Sequence, residues 1–130
     1  MENLHISATP SSPEVDFRFA ENVLSLRGES YPENAAAFYS GIISSLNEYL
    51  NSEVRPQAIA LNVELTYFNS SSTKMLFTLF GTLNDKVANG VEVTVNWYCH
   101  EDDDTMREFG QDLQEDFPSM KFYEHAIADD

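Results

Sequence analysis

Asn69-Ser70-Ser71-Ser72-Thr73 is the densest group of chemically capable side chains in this sequence: four hydroxyls led by an amide. It lies between an alternating apolar stretch ending at Phe68 and an amphipathic stretch beginning at Ser71. Asn and Ser are favoured helix N-caps, because their side-chain oxygens accept from the orphan amides of the first turn. One cap uses one such residue, so a run of four leaves hydroxyls for another purpose. A serine at a helix start is a suitable phosphoacceptor, since its phosphate meets free amide donors and the positive end of the helix dipole. Lys74, one turn beyond Ser70, can add a charged partner. Modification there is expected to leave the helix folded and to act at the surface, placing about −1.5 to −2 charges where a partner docks.

Other reactive types are present in weaker patterns. His100 precedes Glu101-Asp102-Asp103-Asp104. A calcium loop counted from Asp102 needs glycine at position 6 and glutamate at position 12, and finds Arg107 and Leu113 instead. The acidic run is therefore read as a complement to a helix dipole, with no metal or cofactor assigned. Cys99 and His100 adjoin with no third group to orient them. An alternative reading makes Ser70 the nucleophile of a small hydrolase or transferase; its general base would come from His5, His100 or His125. No G-x-S-x-G elbow supports it. Asn69-Ser70-Ser71 also matches the N-glycosylation sequon, but no secretory signal accompanies it.

The elements that must position the serine turn can be read from periodicity. Residues 3–8 suit a short strand, and 14–19 with 22–28 a hairpin turning at Ala20-Glu21, with Gly28 ending its second strand. Residues 30–34 form a loop into a helix over 33–51, whose stripe is Ala35, Phe38, Tyr39, Ile42, Ile43, Leu46, Tyr49 and Leu50. A second helix spans 71–88 and a third 103–115. Between 57 and 68, Ile59, Leu61, Val63, Leu65 and Tyr67 point one way, with Asn62, Glu64 and Thr66 opposite. Between 91 and 99, Val91, Val93, Val95 and Trp97 oppose Glu92, Thr94 and Asn96. Such alternation marks a sheet buried on one face only, which counts against a doubly wound fold. A last strand near 119–125 gives the order βββαβαβαβ: an α/β domain with a mixed sheet of about six strands and helices mainly on one face. Right-handed crossovers then gather residues 28–34, 68–72 and 98–104 at one sheet edge. Tyr31 in its loop and Tyr98, opposite Trp97, are candidate contacts there, and Phe77 lies off-centre on its helix stripe. The polar sheet face supports a further alternative, a constitutive protein- or ligand-binding module.

Composition narrows the classes of partner. With 22 acidic against 7 basic residues the net charge is −15, which disfavours nucleic acid and anionic membranes, both of which demand basic surface. No apolar run approaches the roughly 18 residues of a membrane span. A lone cysteine, Cys99, cannot form an internal disulfide, and a reduced cytoplasmic protein is expected.

Three segments in order carry a resemblance. Gly28-Glu29-Ser30-Tyr31-Pro32-Glu33-Asn34, then Tyr67-Phe68-Asn69-Ser70-Ser71-Ser72, then Val95-Asn96-Trp97-Tyr98 with its acidic continuation resemble the SiaC family of bacterial regulatory phosphoproteins. Ser11-Ser12-Pro13-Glu14-Val15 and the following hairpin are similar too, so nearly the whole chain is covered. The resemblance implies a single STAS-like domain over 1–130, akin to anti-sigma factor antagonists, without catalytic activity. It also implies a kinase of anti-sigma factor type, an opposing phosphatase, and an unphosphorylated form that activates a diguanylate cyclase controlling biofilm formation through c-di-GMP. The acceptor position follows the loop asparagine, which selects Ser70, where the family pattern has threonine; Ser71 is the second candidate. Taken with the segments that meet at the sheet edge, the expected partner-binding set is Tyr31, Pro32, Glu33, Asn34, Asn69, Ser71, Ser72, Lys74, Phe77 and Tyr98.

Overall fold

The computed structural model describes residues 2–53 and 56–128. Along them the chain runs β1 (Leu4–Ile6), β2 (Glu14–Arg18), β3 (Val23–Ser30), α1 (Ala35–Leu50), β4 (Ala58–Phe68), α2 (Ser70–Val87), β5 (Glu92–His100), α3 (Asp104–Asp116) and β6 (Lys121–Ile127). Strands follow one another across the sheet in chain order. β1, β2 and β3 pair antiparallel, and β3 through β6 pair parallel. Each parallel strand adds on the same side of the last. Right-handed crossovers that never reverse direction put every connecting helix on one face. The mixed six-stranded sheet with one helical layer, expected from the alternation, is the fold observed.

Alternation decides what that layer buries. Leu61 and Val63 of β4 and Val95 and Trp97 of β5 are fully enclosed beneath Tyr39, Ile42 and Leu46 of α1 and Leu76, Leu79, Phe80 and Leu83 of α2. Trp97 is the centre of the α3 side. Its Nε1 donates to the Met106 carbonyl at 3.0 Å, and Phe80, Phe109 and Phe122 surround its ring at 5.7–6.4 Å. Gly110 permits this approach, for a Cβ there would lie 2.7 Å from Trp97 Nε1.

Two expectations fail at one place. Gly28 does not end its strand; it adopts φ +122°, and β3 continues to Ser30. At this point the register slips: Gly28 faces Leu65 and Glu29 faces Tyr67, leaving Thr66 as an extra residue in β4. An inserted residue reverses the inside–outside alternation beyond it. Tyr67, expected on the buried side, is therefore 51% exposed, while Phe68 turns inward to meet Phe109 at 4.6 Å.

Candidate functional site at the carboxyl edge of the sheet

The serine turn joins β4 to α2. Asn69, in extended conformation, is the N-cap: its Oδ1 accepts from the Ser72 amide at 2.9 Å and its carbonyl from the Thr73 amide at 3.0 Å. Thr73 Oγ1 bonds to the same carbonyl at 3.1 Å. The Asn69 amide donates to the Ser30 carbonyl at the end of β3, 3.1 Å away. Ser72 faces inward and is fully buried, and its Oγ accepts from Ser30 Oγ at 2.9 Å. Ser30 Oγ lies 2.6 Å from the Tyr39 hydroxyl of α1. Three enclosed hydroxyls thus link three elements beneath the turn, each satisfied by another, as buried polar groups must be. Burial pushes the Tyr39 phenol above its ordinary range.

The turn's hydroxyls divide between interior and surface. Ser72 is fully buried, with its hydroxyl engaged inside by Ser30. Structural duty also takes Asn69 and Thr73, where capping preference alone accounts for one residue. Ser70 and Ser71, the first two residues of α2, are left exposed, with Lys74 exposed one turn on. Amides at those two positions have no intrahelical acceptor. Ser30 and Tyr39 were missed, since the first reads as a loop residue and the second as an ordinary member of the α1 stripe.

The other two segments do reach this edge. Tyr31 and Tyr67 meet edge to face at 5.4 Å, and both are solvent-exposed. Pro32 is half-buried, Glu33 is exposed, and Asn34 caps α1 by accepting from the Ala37 amide at 3.0 Å. Asp103 caps α3 through the Met106 amide at 3.0 Å, and Asp104 pairs with Arg107 at 3.0 Å. A pocket of about 240 Å³ between β4 and α3 is lined by Thr66, Tyr67, Phe68, Asp103, Thr105 and Met106. Two expected members stand apart. Phe77 packs against Phe109 and Phe117, at 5.6 and 6.3 Å, so its ring belongs largely to the α2–α3 contact. Tyr98 lies on the helix-free face, stacked on His125 at 4.6 Å. Of the histidines weighed as general bases, His5 contacts Glu14 at 3.2 Å and His125 contacts Asn96 at 2.9 Å, while His100 shares the open-face row of β5 with Tyr98.

The family model for SiaC family regulatory phosphoproteins matches residues 6–127. This chain belongs to the SiaC family. An uncharacterized protein of Pseudomonas aeruginosa (strain UCBPP-PA14) is 28% identical over 116 residues, covering 89% of this chain and 90% of the relative. Among solved structures, the chain is similar to one in the crystal structure of the diguanylate cyclase SiaD in complex with its activator SiaC from Pseudomonas aeruginosa. That match has a TM-score of 0.87 at 27% identity, covering 95% of this chain and 99% of that one. Apo-SiaC from the same organism matches with a TM-score of 0.85 at 28% identity, over 97% and 100% of the two chains. As a SiaC-family member the protein is a regulatory phosphoprotein. No described helix is long and apolar enough to cross a membrane.

Proposed function

We propose that this SiaC-family protein is a cytoplasmic, non-catalytic activator of a diguanylate cyclase, switched by reversible phosphorylation of Ser70, and so a control point in c-di-GMP signalling and biofilm formation. A kinase of anti-sigma factor type adds the phosphate and a phosphatase removes it. The observation that carries this reading is the similarity, over 95% of the chain, to a structure described as SiaD with its activator SiaC. Ser70 suits the role because it is exposed at the first position of α2, where the helix dipole tolerates a phosphate.

The docking surface is the carboxyl edge: Tyr31, Pro32, Glu33, Asn34, Ser71 and Lys74 around Ser70. The unphosphorylated form docks there. Adding about −1.5 to −2 charges at the sheet edge that also carries the exposed Glu101 and Asp102 opposes docking without unfolding α2. Incubation with the cognate kinase and ATP, followed by mass spectrometry, is expected to locate the phosphate on Ser70; a phosphate confined to residues outside 70–73 would sink the assignment. Ser70→Ala should keep cyclase activation and Ser70→Asp should weaken it. Equal binding of both variants and wild type would refute repulsion as the switch.

A further inference from the structure

We infer that Tyr39, Ser30 and Ser72 are positioning residues that set the rotational phase of α2 and thereby present Ser70, rather than Ser71, to the kinase. This rests on the phosphoacceptor reading above and adds a geometric reason for the choice of serine. Three bonds form a closed circuit through Ser30: its carbonyl takes the Asn69 amide at 3.1 Å, Asn69 Oδ1 takes the Ser72 amide at 2.9 Å, and Ser72 Oγ takes the Ser30 hydroxyl at 2.9 Å. Both ends of the turn are thus tied to the end of β3. Ser30 has one hydroxyl proton, and it goes to Ser72. The 2.6 Å contact with Tyr39 is then donated by the phenol, so the chain runs Tyr39 to Ser30 to Ser72.

A clamp on Ser72 dictates where its neighbours point. Successive α-helical residues are rotated by about 100°, from 3.6 residues per turn. With Ser72 directed into the core, Ser70 is turned about 200° from it, nearly straight outward, and Ser71 about 100°, onto the flank. Rolling α2 to offer Ser71 instead would carry Ser72 away from Ser30 and leave buried hydroxyls without their partner. In the transfer itself the γ-phosphoryl group of ATP bonds to Ser70 Oγ, the hydroxyl proton passes to the kinase's base, and ADP leaves. That reaction rewards a hydroxyl held in line and penalises one that wanders.

Tyr39→Phe removes one oxygen and little volume, and Ser72→Ala removes the clamped hydroxyl. In both, the ratio of phosphate on Ser70 to phosphate on Ser71 is expected to fall about tenfold, as one weakened buried hydrogen bond would allow. The kinase kcat should drop while KM holds, because Tyr31 and Glu33 are untouched. A merely structural role would lower the unfolding temperature without changing the site ratio. Amide hydrogen exchange gives a readout independent of any kinase: Ser72 and Thr73 should exchange about tenfold faster in Tyr39→Phe, with β5 amides unchanged. Unaltered exchange and an unaltered site ratio in folded Tyr39→Phe would overturn the clamp even if Ser72→Ala fails to fold. Faster exchange in a protein never phosphorylated at residues 70–73 would support the clamp while refuting the phosphoacceptor reading.

Discussion

The covered and open faces of this sheet each carry a chain of side-chain hydrogen bonds that ties elements together, and the two chains have opposite access to water. On the open face Ser25, Asn62, Asn96 and His125 form a ladder across β3, β4, β5 and β6, with steps of 3.4, 2.9 and 2.9 Å. Ser25, Asn62 and Asn96 are direct register partners, half-buried, so water can replace any rung that is lost. On the covered face Tyr39, Ser30 and Ser72 are sealed. Of the three buried polar residues found among the described residues, Ser12, Ser30 and Ser72, two lie beneath the serine turn. Polar groups are admitted to the covered side where they hold something in place, whereas the open side can carry them freely.

Large perturbations of the covered face should dominate stability. Trp97→Ala empties the centre of the α3 side and should cost about 3–5 kcal/mol, measured by chemical denaturation. A value below about 1 kcal/mol, the size of an open-face rung, would remove the distinction between faces.

Alkaline pH probes the same face more gently. Burial pushes the Tyr49 phenol from 10.0 up to about 12. The unfolded chain therefore loses this proton first as pH rises. The contribution is complete below about pH 10 and declines between about 10 and 12, by roughly 2 kcal/mol, and Tyr39 acts in the same direction. Denaturation curves across that window should show the fall, and Tyr49→Phe should flatten it. An unchanged slope in Tyr49→Phe would assign the fall to other groups.

The smallest effect is expected on the open face. Asn96→Ala removes two rungs at once, yet water can solvate Asn62 and His125, so the cost should be about 1 kcal/mol. A cost of about 3 kcal/mol or more would mean the ladder is as protected as the buried hydroxyls. It would then be a structural member of the sheet.

Much of the fold was legible because its signals are local. The alternation of Ile59, Leu61, Val63 and Leu65 shows that one sheet face is bare, and the Ala35-to-Leu50 stripe reports which side of α1 is covered. Tyr67 was misplaced because the residue that breaks the alternation, Thr66, is extra only relative to Gly28 and Glu29 on another strand. No pattern within β4 contains that information.

The sequence alone determined the order of elements, the one-sided sheet and the position of the serine turn, since periodicity, capping preference and crossover handedness are properties of short segments. The choice of Ser70 as the proposed acceptor rests on resemblance. Tertiary structure decided how the turn's hydroxyls divide between interior and surface. That division depends on Ser30, which reaches Ser72 from 42 positions away along the chain, and on Tyr39, which holds Ser30, through bonds that exist only once β3, α1 and α2 have packed.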